Sequence, residues 1–166
     1  MKIVIVGGVA GGATAMARLR RLDENAEIVL FERGKYISFA NCGLPYYVGG
    51  AIGSRDALFV STKEEFEKNY GVDIRVESEV IRIDPANKTV DVHDRANDKH
   101  YTETYDKLLL STGSKPFVPK VPGTDNPNVF QLWTVPDVDR IVQFINEKQP
   151  KNAVVVGGGF IGLEMA

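Results

Sequence analysis

Short unbroken apolar runs, alternating stretches and helical periodicity divide this chain into recognisable elements. Lys2-Ile-Val-Ile-Val-Gly-Gly8 is a β-branched apolar run closed by glycines, and it predicts a buried parallel strand. Helix formers follow from Ala13 to Arg21, and Ala26–Gly34 (AEIVLFERG) is a second buried strand, so the first segment reads as a βαβ unit. Ser38 to Gly50 is mixed and carries Pro45 and several glycines. Thr62 to Tyr70 (TKEEFEKNY) predicts a helix, with Thr62 and Glu65 in capping-box spacing. Alternation from Val72 to Val92 predicts antiparallel strands, DIRVESEVIRI and then KTVDVHD after an Asn87-Lys88 turn. Tyr101 to Tyr105 supplies a third strand of that meander, and DKLLLSTG is another buried strand ending at Gly113. Pro116, Pro119, Pro122 and Pro127 mark a semi-rigid connector. Thr134 to Lys148 predicts an amphipathic helix, capped by Thr134, with Pro136 in its first turn and Val138, Ile141, Val142 and Ile145 on one face. NAVVVGGGFIGLEMA then repeats strand, glycine turn and helix; it stops in mid-helix, so the chain reads as a fragment of a longer protein.

The predicted fold class is α/β: a doubly wound parallel sheet with an inserted antiparallel meander, followed by the start of a second dinucleotide-binding domain. Composition agrees, with 43% hydrophobic and 25% charged residues. A net charge of −2 gives no basic surplus for nucleic acid, and no apolar run reaches the ~20 residues of a membrane span. No signal-peptide layout opens the chain, and one cysteine excludes an internal disulfide and fits a reducing, cytoplasmic setting.

The candidate chemistry begins at the glycines. Gly157-Gly158-Gly159-Phe160-Ile161-Gly162 fits G-x-G-x-x-G between a strand and a helix. There glycines allow a tight turn and close approach of pyrophosphate to a helix N-terminus. The first copy, Gly7-Gly8-Val9-Ala10-Gly11-Gly12, keeps the outer glycines but has Val9 at the middle one; Glu32, ending the second strand, suits a ribose hydroxyl. Two such turns imply two dinucleotides and electron transfer between them. The second turn's acidic partner would lie beyond Ala166, so NADH and NADPH are not distinguished.

Cys42 lies in Ser-Phe-Ala-Asn-Cys-Gly-Leu-Pro-Tyr46, where Pro45 predicts a helix start just after it. That position favours a thiolate, the reactive form, over a buried inert thiol. No second cysteine is present to resolve it, so its oxidised form pairs with an outside sulfur or becomes a sulfenic acid.

The segments GGVAGGA, FERG, SFANCGLPY, STGSKP and GGGFIGLEMA, in this order, closely resemble the coenzyme A-disulfide reductases. These are a single-cysteine branch of the pyridine nucleotide-disulfide oxidoreductases, and the likeness is strongest to members that carry a rhodanese domain. The resemblance implies FAD, NAD(P)H and coenzyme A as ligands. It implies Cys42 as the catalytic residue, and Gly7, Gly8, Val9, Ala10, Gly11, Gly12, Glu32, Arg33, Asn41, Cys42, Val80, Thr112, Gly113, Phe160, Ile161 and Glu164 at the cofactors. It assigns Thr14, Arg18, Arg21, Ser38 and Asn41 to coenzyme A; on spacing alone Thr14, Arg18 and Arg21 share one helix face and read as a solvated basic face. Members can also place a lysine at the position of Tyr70.

The implied activity is NAD(P)H-driven reduction of a small coenzyme A disulfide or persulfide in a homodimer, not completed by this chain alone. The implied layout is an incomplete FAD domain over 1–115, a linker with the first helix over 116–150, and the start of an NAD(P) domain over 151–166. The related NADH oxidases and peroxidases, which use a cysteine sulfenic acid, typically read SFLSCG and place histidine where Ala10 stands, so Asn41 and Ala10 favour the coenzyme A branch. A non-catalytic flavin-binding fragment is the third possibility. His93 and His100 read as solvated residues without partners, no metal site is expected, and Trp133 reads as packing.

Overall fold

The computed structural model describes residues 1–166, which divide into two compact units: Met1–Phe39 with Val60–Gly113, and Ala40–Phe59 with Ser114–Ala166. In the first unit the opening apolar run forms β1 (Lys2–Val6), followed by α1 (Gly11–Leu22), β2 (Glu27–Phe31), α3 (Lys63–Tyr70) and β3 (Asp73–Arg75). The elements β4 (Ser78–Asp84), β5 (Thr89–Asp94), β6 (Lys99–Thr104) and β7 (Lys107–Leu110) complete it. The second unit holds α2 (Leu44–Val48), α4 (Val135–Lys148) and α5 (Phe160–Met165).

A parallel sheet of order β3-β2-β1-β7 forms the centre of the first unit. Strand alternation sorts its two faces. Ile3, Ile5, Ile28, Leu30 and Ile74 point to one side, where Ala13 and Met16 of α1 and Phe66 of α3 cover them. Val4, Val29 and Phe31 point to the other, against Val90 and Val92 of the antiparallel sheet β4-β5-β6. The unit is therefore three layers, helices, parallel sheet and meander, with apolar surface buried at both seams.

α3 ends as its sequence dictates. Thr62 accepts from the Glu65 backbone N–H, Glu65 accepts from the Thr62 N–H, and Gly71 closes the helix at φ 58°. The meander turns repeat one device. In each, an aspartate (Asp84 or Asp94) accepts from the backbone of the next alanine and asparagine and from the asparagine side chain, before a left-handed residue, Lys88 or Asp98.

Several expectations need correction. The stretch DIRVESEVIRI is not one strand of the meander. Asp73–Arg75 pairs in parallel with β2, and the chain leaves that sheet at Glu77, a non-glycine residue at φ 51°. β7 is not buried: it is an edge strand, and Leu110 is 56% exposed. On α4 the buried stripe is Val135, Val138 and Ile141, whereas Ile145 faces outward. Thr134 stands at the helix start, where the Asp137 carboxylate accepts from both its N–H and its hydroxyl. Residues 151–158 form no strand; Val154 and Val156 are exposed because no strand in the chain pairs with them.

In the second unit Leu44, Leu58, Val135, Val138 and Ile141 are buried. Arg55 holds Asp139 by two bonds, Nε to Oδ1 at 2.7 Å and Nη2 to Oδ2 at 2.8 Å, the forked geometry that suits guanidinium and carboxylate. No helix is long and apolar enough to cross a membrane.

Candidate functional site

The first glycine turn is built by steric necessity. Gly7 has φ 100°, and a Cβ there would lie 2.1 Å from the Ser111 carbonyl oxygen. A Cβ on Gly12 would lie 1.7 Å from the Gly7 carbonyl oxygen. The backbone thus passes within contact of the end of β7, where Ser111 N–H donates to the Val6 carbonyl. The two segments assigned to one cofactor, Gly7–Gly12 and Thr112–Gly113, are in this way brought together, with Gly113 at φ 65°. No side chain caps α1. Its first backbone N–H groups, which have no intrahelical partner in any helix, are therefore not satisfied by a side chain either, the arrangement that attracts anions.

Glu32 locks the turn from the side. Its Oε2 accepts from the Gly8 N–H at 2.8 Å and its Oε1 from the Gly34 N–H at 2.7 Å. Glu32 is thus a clamp on the loop, and each oxygen keeps a second lone pair free to accept a further hydrogen bond. Val9, the departure from the glycine pattern, is not among the residues with positive φ. Its counterpart Gly159 has φ −76° with open space around it. Glycine at this middle position is therefore not demanded by the turn.

The other assigned residues of this unit fall into two groups. Thr14, Arg18 and Arg21 do share the exposed face of α1. Arg33 is exposed beside Glu32, and Val80 pairs with Val92 at the bulge that follows it in β4. Ser38 is buried and left-handed at φ 49°; its N–H donates to the Gly8 carbonyl and its carbonyl accepts from Val60. That backbone role was not visible in the sequence, where Ser38 has no turn signature. Arg20 likewise carries no sequence signal for its role. Its guanidinium donates to the carbonyls of Asp23, Glu24, Tyr70 and Gly71, satisfying the C-terminal ends of α1 and α3 together.

In the second unit Cys42 occupies the 3₁₀ turn Asn41–Gly43, directly before α2, whose first turn contains Pro45. The thiol is exposed. Behind it Gly43 is closely packed: a Cβ there would meet Ile52 at 3.2 Å, Ala40 at 3.3 Å and Leu58 at 3.4 Å. An open cavity of about 280 Å³ lies in front, and three segments wall it. Asn41, Cys42, Leu44 and Pro45 supply one side, Leu132 and Trp133 another, and Phe160, Ile161 and Glu164 the third. The Tyr46 hydroxyl donates to Glu164 Oε1 at 3.3 Å. The expected residues Asn41, Cys42, Phe160, Ile161 and Glu164 therefore converge. Trp133, which the sequence alone presents as packing, lines the same space. A mostly apolar cavity with a thiol, an amide and a carboxylate at its walls is suited to a sulfur-bearing organic ligand.

The second fingerprint repeats the first locally. Gly157 has φ 112°, and a Cβ on Gly162 would lie 2.0 Å from the Gly157 carbonyl oxygen.

These features recur in known proteins. The coenzyme A disulfide reductase of Staphylococcus haemolyticus is 40% identical over 99% of this chain, which spans 37% of that relative's length. Reduced CoADR-RHD of Bacillus anthracis superimposes with a TM-score of 0.95 at 54% identity, covering 99% of this chain and 30% of that one. A NAD-dependent persulfide reductase from A. fulgidus gives 0.94 at 37% identity, over 100% and 31% of the two chains. The pattern of the pyridine nucleotide-disulphide oxidoreductases matches residues 1–166. With its glycine turns and its exposed cysteine in place, this chain belongs to the pyridine nucleotide-disulphide oxidoreductase family.

Proposed function

We propose that this chain is the cofactor-holding and sulfur-reactive front part of an NAD(P)H-driven reductase of coenzyme A disulfide or a related persulfide. The observation that carries the reading is the exposed lone cysteine, Cys42, opening on a cavity lined by Trp133, Phe160 and Glu164. The likeness to coenzyme A disulfide reductases and a persulfide reductase supports it.

The residues present fit FAD: the side-chain-free crossing at Gly7 and Gly12 leaves backbone N–H groups open at an uncapped helix. In this reading Gly7, Gly8, Val9, Ala10, Gly11 and Gly12 hold the pyrophosphate, Glu32 a ribose hydroxyl, and Arg33, Val80, Thr112 and Gly113 the remainder of the nucleotide. Asn41, Phe160, Ile161 and Glu164 serve the redox end. Thr14, Arg18, Arg21, Ser38 and Asn41 receive coenzyme A, the arginines by forked bonds to phosphate.

The chemistry of the chain's own residues is thiol–disulfide exchange. The Cys42 thiolate attacks one sulfur of the disulfide, the substrate S–S bond breaks, and one coenzyme A leaves as thiolate while the other stays bonded to Cys42. FAD, when bound, supplies the two electrons drawn from NAD(P)H that return Cys42 to thiolate and free the second thiol. Gly43 and Pro45 fix the cysteine's position, and the exposed thiol is open to an incoming disulfide. The working unit in this reading is a cytoplasmic homodimer. Its FAD domain covers 1–115, the connector 116–150, and its NAD(P) domain opens at 151–166.

Mass spectrometry of the untreated enzyme carrying this chain tests the proposal. A coenzyme A adduct on Cys42, released by reductant and absent in Cys42→Ser, is expected. Oxygen adducts alone would replace this reading with the NADH oxidase or peroxidase one, and an enzyme that binds no flavin would end it.

A further inference from the structure

The meander carries a second cluster of ligand-bearing side chains. It corrects the expectation that His93 and His100 have no partners. His93 stands directly opposite His100 across β5 and β6, with the rings stacked at 4.3 Å between centroids and 7° between planes. His93 Nε2 lies 2.9 Å from Asp98 Oδ1, at the turn joining the two strands. The donor atoms of all three residues lie within 4.8 Å of one another.

The fold explains why they meet. Val90 and Val92 of β5 are buried against the parallel sheet, so alternation sends Asp91 and His93 to the opposite, open face. The register pairs Val92 with Tyr101 on the core side and His93 with His100 on the open side. The Asp94–Asn97 turn then returns the chain so that left-handed Asp98 comes beside His93. On the other edge of β5, Glu79 of β4 faces His93 in the ladder and adds a carboxylate to the same row. Asp98 and His100 are exposed, so their side chains have room to turn toward one ion.

We propose that His93, His100 and Asp98 form a surface binding site for a borderline divalent transition-metal ion of the zinc and copper class. Two imidazoles and one carboxylate are the donors such ions prefer. Magnesium and calcium, which take nearly all-oxygen shells, are excluded by the same donor set. The ion bonds to both strands of the β5–β6 hairpin at once and therefore stabilises the folded meander by mass action. This site stands apart from any role of Cys42.

Titration of untagged protein in a Cys42→Ser background with zinc chloride, copper(II) chloride and magnesium chloride tests the site, the serine removing this chain's thiol as a competitor. One-to-one zinc binding, tighter copper binding and no magnesium binding are expected, with the ring NMR signals of His93 and His100 moving together and the melting temperature rising. Replacing either His93 or His100 by Gln should weaken zinc by at least ~10-fold, and Asp98→Asn should weaken it less. If the single-residue variants lose their fold, the ring signals of the parent still decide. Zinc binding that leaves both histidine rings unmoved, or the absence of zinc binding, overturns the proposal.

Discussion

The two glycine turns have the same internal geometry and different settings. In both, the first glycine is left-handed, at 100° and 112°, and a side chain on the last would collide with the first one's carbonyl oxygen. Gly7–Gly12 follows a strand paired on both sides and is clamped by Glu32 and Ser38. Gly157–Gly162 follows residues that lie outside any sheet. A glycine turn is thus a local property of its residues, whereas the strand that feeds it exists only where neighbours supply hydrogen bonds.

A methyl group placed in each turn separates the two settings most sharply. Gly12→Ala puts a Cβ against backbone that sits between paired strands, and it should cost about 3–5 kcal/mol in urea unfolding. Gly162→Ala makes the same local collision outside any sheet and should change the main unfolding transition by less than ~0.5 kcal/mol. Equal losses would show that the second turn is held as firmly as the first. Next comes the clamp. Glu32→Ala strips acceptors from the Gly8 and Gly34 N–H groups, with an expected loss of about 2–4 kcal/mol. Glu32→Gln, which keeps one acceptor oxygen, should lose less. A smaller effect, about 1 kcal/mol, is expected for Thr62→Ala, which opens the capping box of α3 in the same unit.

The smallest effect is electrostatic. Partial burial by itself would raise the Glu103 carboxyl, but hydrogen bonds from Lys2 and Arg75 outweigh it and hold the group below the ordinary carboxylate range. Its contribution is therefore complete above that ordinary value and is lost as pH falls through the depressed one. Urea midpoints measured from pH 6 downward should fall less in Glu103→Gln than in the parent. A parallel slope for both would remove Glu103 from the acid response.

Much of the architecture was legible because it rests on local signals. The glycine turns, the Thr62–Glu65 box and the proline after Cys42 each act within a few residues, and each stands where its residues predicted. The misreadings arose where distant pairing decides. Nothing in Asp73–Asp84 marks the change of sheet, because the break falls on Glu77, which adopts a left-handed φ without being glycine. The apolar run at Val154–Val156 reads as a strand, yet hydrophobicity alone supplies no partner for its backbone. At the sulfur cavity, Asn41 and Cys42 stand in one contiguous motif, whereas Trp133 and Glu164 join them only through packing of separate segments. The pairing of His93 with His100 depends on hairpin register, which composition does not reveal.

The paired aspartate–asparagine turns of the meander bear on how fast the chain finds its fold. Bringing β7 beside β1 closes a loop whose ends, Lys2 and Asp106, are 104 residues apart. Hairpins with self-contained turns form in ~1–10 μs, long before so distant a contact is made, and they draw β4 through β6 into one short-range unit. Once they exist, the remaining search covers a shorter effective span, so the entropic barrier to closure is lower. Asp84→Ala or Asp94→Ala should accordingly slow refolding in stopped-flow measurements, and a change confined to the unfolding rate would place the turns after the rate-limiting step.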